Sequence, residues 1–309
     1  MVCGVMGHIG FEVARTASLN DYKVIGIYNK SITKEKIKIL KKQNVKIIRN
    51  DLKSSESIKK IIKNNKIKGC IYAAAVSHEI YAKKDPNKTL NVNCFGVHNI
   101  LSIVDKKFKF IYLSTGSVYQ DIKNKKKINE DITPTPFSMY SGTKRLGEII
   151  VNFYRENFNK NCVSLRVSWV YGPPMICKKL NIQRGPIPII LYKYVKGARS
   201  FKFKSGKDFR ASFTYIDDVT NAIFKLLKMN KYKSSTLNLG TGKNNSIKEI
   251  FKALQKDKKI QFKIGKGASP WSNSSVVRGP LISKNKDFKA KTSLNIGIKK
   301  YLNWLKLNA

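Results

Sequence analysis

Acidic residues are scarce in this chain of 309 residues: 19 Asp+Glu stand against 61 Lys+Arg, a formal net charge of +42. Histidine is scarcer still. The three, His8, His78 and His98, fall into no triad or ligand spacing and read as structural. The five cysteines, Cys3, Cys70, Cys94, Cys162 and Cys177, form no CxxC pair, and their odd number and wide scatter exclude both a disulfide framework and a zinc site. No metal site is expected, and the compartment reads as the cytoplasm. No run approaches the roughly 18 uninterrupted apolar residues of a spanning helix. The opening MVCGVMGHIGFEVA is apolar but lacks a basic leader and a small-residue cleavage site, so no export signal is read. Internal repeats and long low-complexity linkers are also missing.

What is present suits a large core: 42% of residues are apolar and 10% aromatic, in a chain about twice the usual domain size of roughly 150. The positive charge would attract nucleic acid, an anionic membrane surface or a phosphorylated substrate. Its lysines come in short runs (Lys34 to Lys42, Lys59 to Lys68, Lys123 to Lys127, Lys256 to Lys259) among isoleucines and asparagines, residues that share AT-rich codons. With no helix-turn-helix, zinc module or aromatic RNP pattern beside them, they read as solvated faces rather than a nucleic-acid site.

The first half alternates short apolar runs with amphipathic stretches, the pattern of βαβ units in an α/β, doubly wound parallel sheet of Rossmann type. Strands are expected near Val2-Cys3, Lys23 to Ile27, Lys46 to Arg49, Cys70 to Ala74, Phe110 to Ser114 and Ser164 to Val167. Just after Tyr171, the breakers Pro173, Pro174, Gly185, Pro186 and Pro188 open a loop-rich region. A dinucleotide-binding domain over 1–170, with 213–243 returning to it, and a smaller interleaved substrate domain over 171–309 are expected. Only Met1, Val2 and Cys3 precede the first glycine, so either the first strand is short or a few N-terminal residues are missing.

Gly4, Gly7 and Gly10 form G-x-x-G-x-x-G at the first strand-to-helix junction, where glycines let the backbone approach a pyrophosphate seated on helix N-terminal amides. An ordinary tight turn is the duller alternative. Further on, Thr115 lies in LSTGSVY, and Tyr140 and Lys144 in YSGTK are four apart, one helical face. A tyrosine is a poor base at its ordinary pKa near 10, and a neighbouring ammonium would favour the phenolate. Tyr-x-x-x-Lys is common by chance, but not behind a strand ending in Ser-Thr and a glycine turn.

With these motifs the chain resembles the extended short-chain dehydrogenase/reductases of the NAD-dependent epimerase/dehydratase family. The likeness runs from Gly4 to about Trp304 through Asn50-Asp51-Leu52, Ala73-Ala74-Ala75, NVNCFGVHNIL with Asn93, LSTGSVY, YSGTKRLGE, LRVSWVYGPP, FTYIDDV and LNLGTG. The resemblance implies that Gly4, Gly7, His8, Ile9 and Gly10 cradle an NAD or NADP pyrophosphate. It implies that Asp51 and Leu52 flank the adenine, that Ala73 to Ala75 and Asn93 line the cofactor, and that Asn93 braces the backbone. Tyr140 would be the acid/base, Lys144 would bind the nicotinamide ribose and lower the tyrosine pKa, and Thr115 would bond the reacting hydroxyl. Asp217 and Asp218 would hold a junction or cap the Val219 helix. A homodimer through the helices carrying Tyr140 and those near Asn93 is implied as well.

Departures narrow the function. Dehydratases of the family carry Asp-Glu after the catalytic Thr; here Gly116 and Ser117 stand there, Ser117 becoming a substrate contact. After the second strand, Asn29 offers no acid for a ribose 2′-hydroxyl and Lys30 suits a 2′-phosphate, so NAD and NADP both remain open with a lean to NADP. Arg210 and Arg278 stand near the places where sugar-nucleotide members grip a diphosphate, although Ala211 fills the register expected of the first, and either could be a surface ion-pair partner. The implied function is C4 epimerisation of a nucleotide sugar through a transient 4-keto form. The alternatives are an NADPH-linked reductase of a keto sugar or other carbonyl, and a non-catalytic binding or regulatory protein that keeps the fold.

Overall fold

A computed structural model describes residues 1–29, 33–120, 126–179, 184–254, 260–268, 271 and 279–309. The chain divides into two compact units, Met1–Gln120 with Pro134–Arg166 and Thr220–Leu237, and Asp121–Thr133 with Val167–Val219 and Asn238–Ala309.

In chain order, β1 (Val2–Cys3), α1 (His8–Ser18), β2 (Ile25–Tyr28), α2 (Lys34–Lys42), β3 (Lys46–Arg49), α3 (Ser55–Asn64) and β4 (Gly69–Tyr72) alternate strictly. Then come α4 (Glu79–Lys84), α5 (Pro86–Leu90), a π-helical turn at Asn91–Phe95, α6 (Gly96–Leu101), β5 (Lys109–Thr115), a 3-10 turn at Gly116–Tyr119, α7 (Met139–Phe158) and β6 (Cys162–Val167). The chain continues with β7 (Val170–Tyr171), α8 (Pro186–Val195), β8 (Ser200–Phe203), β9 (Arg210–Ala211), β10 (Thr214–Tyr215), α9 (Ile216–Lys228) and β11 (Thr236–Leu239). It ends with β12 (Asn245–Ser246), α10 (Ile247–Leu254), β13 (Gln261–Ile264) and α11 (Leu294–Asn308).

Among the described residues, seven strands form one sheet in the order β11-β6-β5-β4-β1-β2-β3. Successive strands step outward from β1 in both directions, which puts the topological switch between β1 and β4, where doubly wound sheets open a crevice for a ligand. β1 pairs in parallel with β2 and β4, β2 with β3, and β4 with β5. Buried strands need apolar side chains on both faces. Cys3, Ile27, Cys70, Tyr72, Phe110 and Tyr112 supply them, packed on Val97, Ile100, Leu101 and Val151 from the helices.

The expected strands are present with shifted ends. β2 begins at Ile25 and runs on to Tyr28, while β4 stops at Tyr72 because the chain then turns away, the Val76 amide going to the Asn93 side chain at 2.9 Å. β1 is short, and the Met1 amino group extends its pairing by donating to the Gly69 carbonyl at 2.8 Å. β11 escapes a reading by composition: its four residues close the far edge of the sheet, a tertiary pairing with no local signal.

The second unit has small sheets, β8 with β13, β9 with β12 and β7 with β10. Its aromatic core includes Phe251 stacked on Phe262 at 4.4 Å and Trp271 against Phe203 and Phe209. α11 buries Tyr301 beside Tyr171.

Candidate functional site

Two of the glycines at the β1–α1 turn, Gly4 and Gly10, leave no room for a side chain. Gly4 has φ +79°, and a Cβ on it would lie 2.7 Å from the Ala74 backbone at the end of β4. One on Gly10 would lie 2.4 Å from the Gly4 carbonyl oxygen, and one on Gly7 would lie 3.2 Å from the same atom. Gly7 caps α1 without any side chain, leaving the helix start, with His8 and Ile9, open to backbone approach. A helix N-terminus capped by no side chain, at the switch between β1 and β4, offers backbone amides of the kind a pyrophosphate needs, so these residues fit a dinucleotide. At the neighbouring strand ends, Asn29 Nδ2 donates to Asp51 Oδ2 at 3.1 Å, and Asp51 Oδ1 accepts the Lys53 amide at 3.1 Å. The half-buried Ala73, Ala74 and Ala75 follow β4, and the buried Leu52 follows β3. Lys30 lies outside the described residues.

Thr115 ends β5, and its hydroxyl accepts the Ser117 amide at 3.1 Å, which sets the 3-10 turn behind it. Tyr140 and Lys144 enter from the first turns of α7, a helix started by a reciprocal box between Ser138 and Ser141. Burial raises the pKa of the Tyr140 phenol, the neighbouring Thr115 hydroxyl pulls it down, and burial wins. The lowering expected from Lys144 is therefore not found at the phenol. Lys144 is buried, with Nζ 4.0 Å from the centre of the Tyr112 ring. Burial pushes its ammonium down to about 7, against the upward pull of Glu148 and Cys94.

Asn93 holds this arrangement from the π turn, where the widened helix exposes backbone that an α-helix would close. Fully buried, it accepts the Val76 amide and donates to the Val76 carbonyl at 3.3 Å and to Thr143 Oγ1 at 3.0 Å, linking the loop after β4 to α7. Behind it, sequence reasoning missed a charged cluster. Glu148 on α7 is 2% exposed and accepts from Ser114, Arg145 and, through two nitrogens, Arg166. The available signal was Arg166 itself, a charge inside the apolar strand CVSLRV.

In the second unit, Arg210 is half-exposed and lies 3.6 Å from Glu249, while Ala211 is buried. Asp218 accepts the Lys291 and Thr292 amides, and Asp217 pairs with Lys300 at 2.9 Å. Asp218 thus ties the start of α9 to the segment before α11, and Asp217 ties it to α11 itself. Arg278 lies outside the described residues. His78 caps α4, and His98 bonds Tyr154 at 3.0 Å.

The model of the NAD dependent epimerase/dehydratase family matches residues 1–240. The chain belongs to this family. Among its relatives is a UDP-glucuronate 4-epimerase of Thermodesulfobacterium geofontis, 26% identical over all of this chain and 96% of the relative. Of solved structures, a UDP-glucose 4-epimerase of Thermotoga maritima with UDP-glucose superposes with a TM-score of 0.84 at 23% identity, over 99% of this chain and 98% of that one. A UDP-glucuronic acid 4-epimerase of Bacillus cereus, in complex with UDP-glucuronic acid and NAD, gives 0.77 at 23% identity over 100% and 99%. Both likenesses confirm the family's doubly wound fold.

Proposed function

We propose that this chain is an NAD(P)-dependent epimerase of a nucleotide sugar, inverting C4 through a transient 4-keto sugar. The observation that carries the reading is the Tyr140 phenol beside the Thr115 hydroxyl, with Lys144 one turn along the same helix, in the unit that holds the glycine cradle. Gly4, Gly7, His8, Ile9 and Gly10 hold the pyrophosphate, Asn29, Lys30, Asp51 and Leu52 the adenosine end, and Ala73 to Ala75 with Asn93 the wall beside it. Bound there, the dinucleotide supplies two-electron oxidation of the sugar and its reversal. Tyr140 takes the proton of the C4 hydroxyl and gives it back, Thr115 bonds that oxygen, and Lys144 holds a ribose. Gly116 and Ser117 bring no carboxylate, so elimination of water has no acid-base pair to carry it. The names of the relatives, UDP-glucose and UDP-glucuronate 4-epimerases, support the substrate class.

The first unit takes the cofactor role and the second the substrate role, with Arg210 and Arg278 gripping the diphosphate. The active form is a homodimer. Leu146, Ile149 and Phe153 line one face of α7 at exposures of 46%, 49% and 51%, joined by Phe95 at 54%, an apolar stripe that a second copy would cover. Proton NMR of UDP-glucose and UDP-glucuronate incubated with the protein and catalytic NAD tests the reaction. Growth of the C4 epimer with no net cofactor change is expected, whereas no epimer, with stoichiometric loss of NADPH in a parallel incubation with a 4-keto sugar nucleotide, would assign a reductase.

A further inference from the structure

Glu148 lies on α7 one turn beyond Lys144, and its acceptor sites are all taken. Oε1 receives Ser114 Oγ at 2.5 Å and Arg166 Nε at 2.7 Å; Oε2 receives Arg166 Nη2 at 2.7 Å and Arg145 Nη1 at 3.0 Å. A carboxylate has about four such sites, so this one has no freedom left to turn. Arg166 uses its remaining fork on the Tyr119 hydroxyl, in the 3-10 turn that follows Thr115, and its guanidinium lies 4.9 Å from that ring. Three elements therefore meet on one carboxylate. β5 joins through Ser114, the residue before Thr115, β6 joins through Arg166, and α7 carries the acid itself.

We propose that Glu148 is a positioning residue, pinning the Thr115 end of β5 to the helix that carries Tyr140 and Lys144 and supplying the negative charge Lys144 faces. The proposal rests on the catalytic roles given above to Thr115, Tyr140 and Lys144. A buried ion pair is a weak source of stability, because removing both charges from water offsets most of their attraction. What a bidentate pair fixes is direction: the guanidinium and carboxylate planes are locked together, and with them the backbones they hang from. Thr115 reaches Tyr140 across this joint, and a displacement of about 1 Å at a reacting pair can cost about a hundredfold in rate. The groups facing the Lys144 ammonium are Tyr112 from β5, Cys94 from the π turn and Glu148 from its own helix. Of these Glu148 gives the largest upward pull on its proton affinity, opposing burial. Loss of that charge must therefore move the Lys144 titration to lower pH.

The test uses the full-length protein. In Glu148→Gln we expect kcat to fall about 10- to 100-fold with KM for the nucleotide sugar within about threefold, and the alkaline limb of the kcat–pH profile to shift to lower pH. Carbon NMR of lysines labelled at Cε, with Lys144 assigned by its absence in Lys144→Met, reads the same shift without any turnover. Ser114→Ala cuts the strand-to-helix tie without leaving a charge unpaired, and should lower kcat about fivefold with no change in the titration. Unchanged kcat in Ser114→Ala, or an unmoved Lys144 titration in folded Glu148→Gln, overturns the proposal. Tyr140→Phe in the same assay separates the two readings: if it keeps turnover, the catalytic trio is wrong, and if it alone fails, only the role of Glu148 is.

Discussion

Lys144 is held where a lysine is least comfortable. Its proton affinity drops to about 7 when folded, while the unfolded chain keeps the ordinary value of 10.5. Between those values the unfolded state binds more protons, so this group makes stability rise with pH across that window and costs the most below it. Lys144→Met should therefore melt higher than the wild type at pH 7, by up to a few kcal/mol, and lose the difference near pH 10, while turnover is abolished. Thermal melts from pH 6 to 10 decide it, and an equal effect at all pH values would contradict the assignment. Gly10 offers a second check. The Cβ of Gly10→Ala would enter the Gly4 carbonyl at 2.4 Å, so α1 must move off its turn. We expect a loss of about 1–3 kcal/mol in stability and of NAD(H) affinity by fluorescence titration.

At the scale of elements, the alternating strands and helices were legible because a two-face-buried strand must be a short apolar run. The trio of Thr115, Tyr140 and Lys144 was legible because helical spacing and a strand end place them. The cluster around Glu148 was not legible. In a chain with 61 Lys+Arg a charged residue reads as surface, and the spacing of 18 between Glu148 and Arg166 belongs to no local period. The π turn escaped for a related reason, since NVNCFGVHNIL reads as one continuous helix and only the pull of Asn93 on Val76 and Thr143 marks the widened turn. Asn93→Ala strands the part-buried Val76 amide and removes the amide that Thr143 Oγ1 accepts, while that hydroxyl keeps its bond to the Met139 carbonyl. A stability loss of about 2–3 kcal/mol by denaturant titration and a fall in kcat are expected; a neutral result would mean that the π turn stands without its side chain. On the outer face of the same helix, Phe153→Glu should turn a dimer into a monomer by analytical ultracentrifugation. Wild-type protein sedimenting as a monomer would remove the interface proposed for α7.

Across the whole molecule, several of the nineteen acids are spent on internal work, and this shapes the field outside. Glu12 and Glu148 are buried with arginines, Asp218 accepts two backbone amides, and Glu130 accepts the amides of Asn238 and Lys284 with the Ser283 hydroxyl. With 19 carboxylates against 61 Lys+Arg, the charge of +42 acts outward. A nucleotide sugar carries its negative charge on the diphosphate and would be drawn in by that field before any arginine touches it. The attraction is screened over about 10 Å at 0.1 M salt and about 3 Å at 1 M. Capture and chemistry therefore separate under salt: kcat/KM should fall about tenfold or more between 0.01 and 0.5 M NaCl, while kcat, set at the trio proposed above, changes less than about twofold. Initial rates at subsaturating and saturating substrate across that series check it. A flat kcat/KM would mean that the lysines stand away from the path of approach, and a parallel fall in kcat would place the salt effect on the catalytic geometry instead.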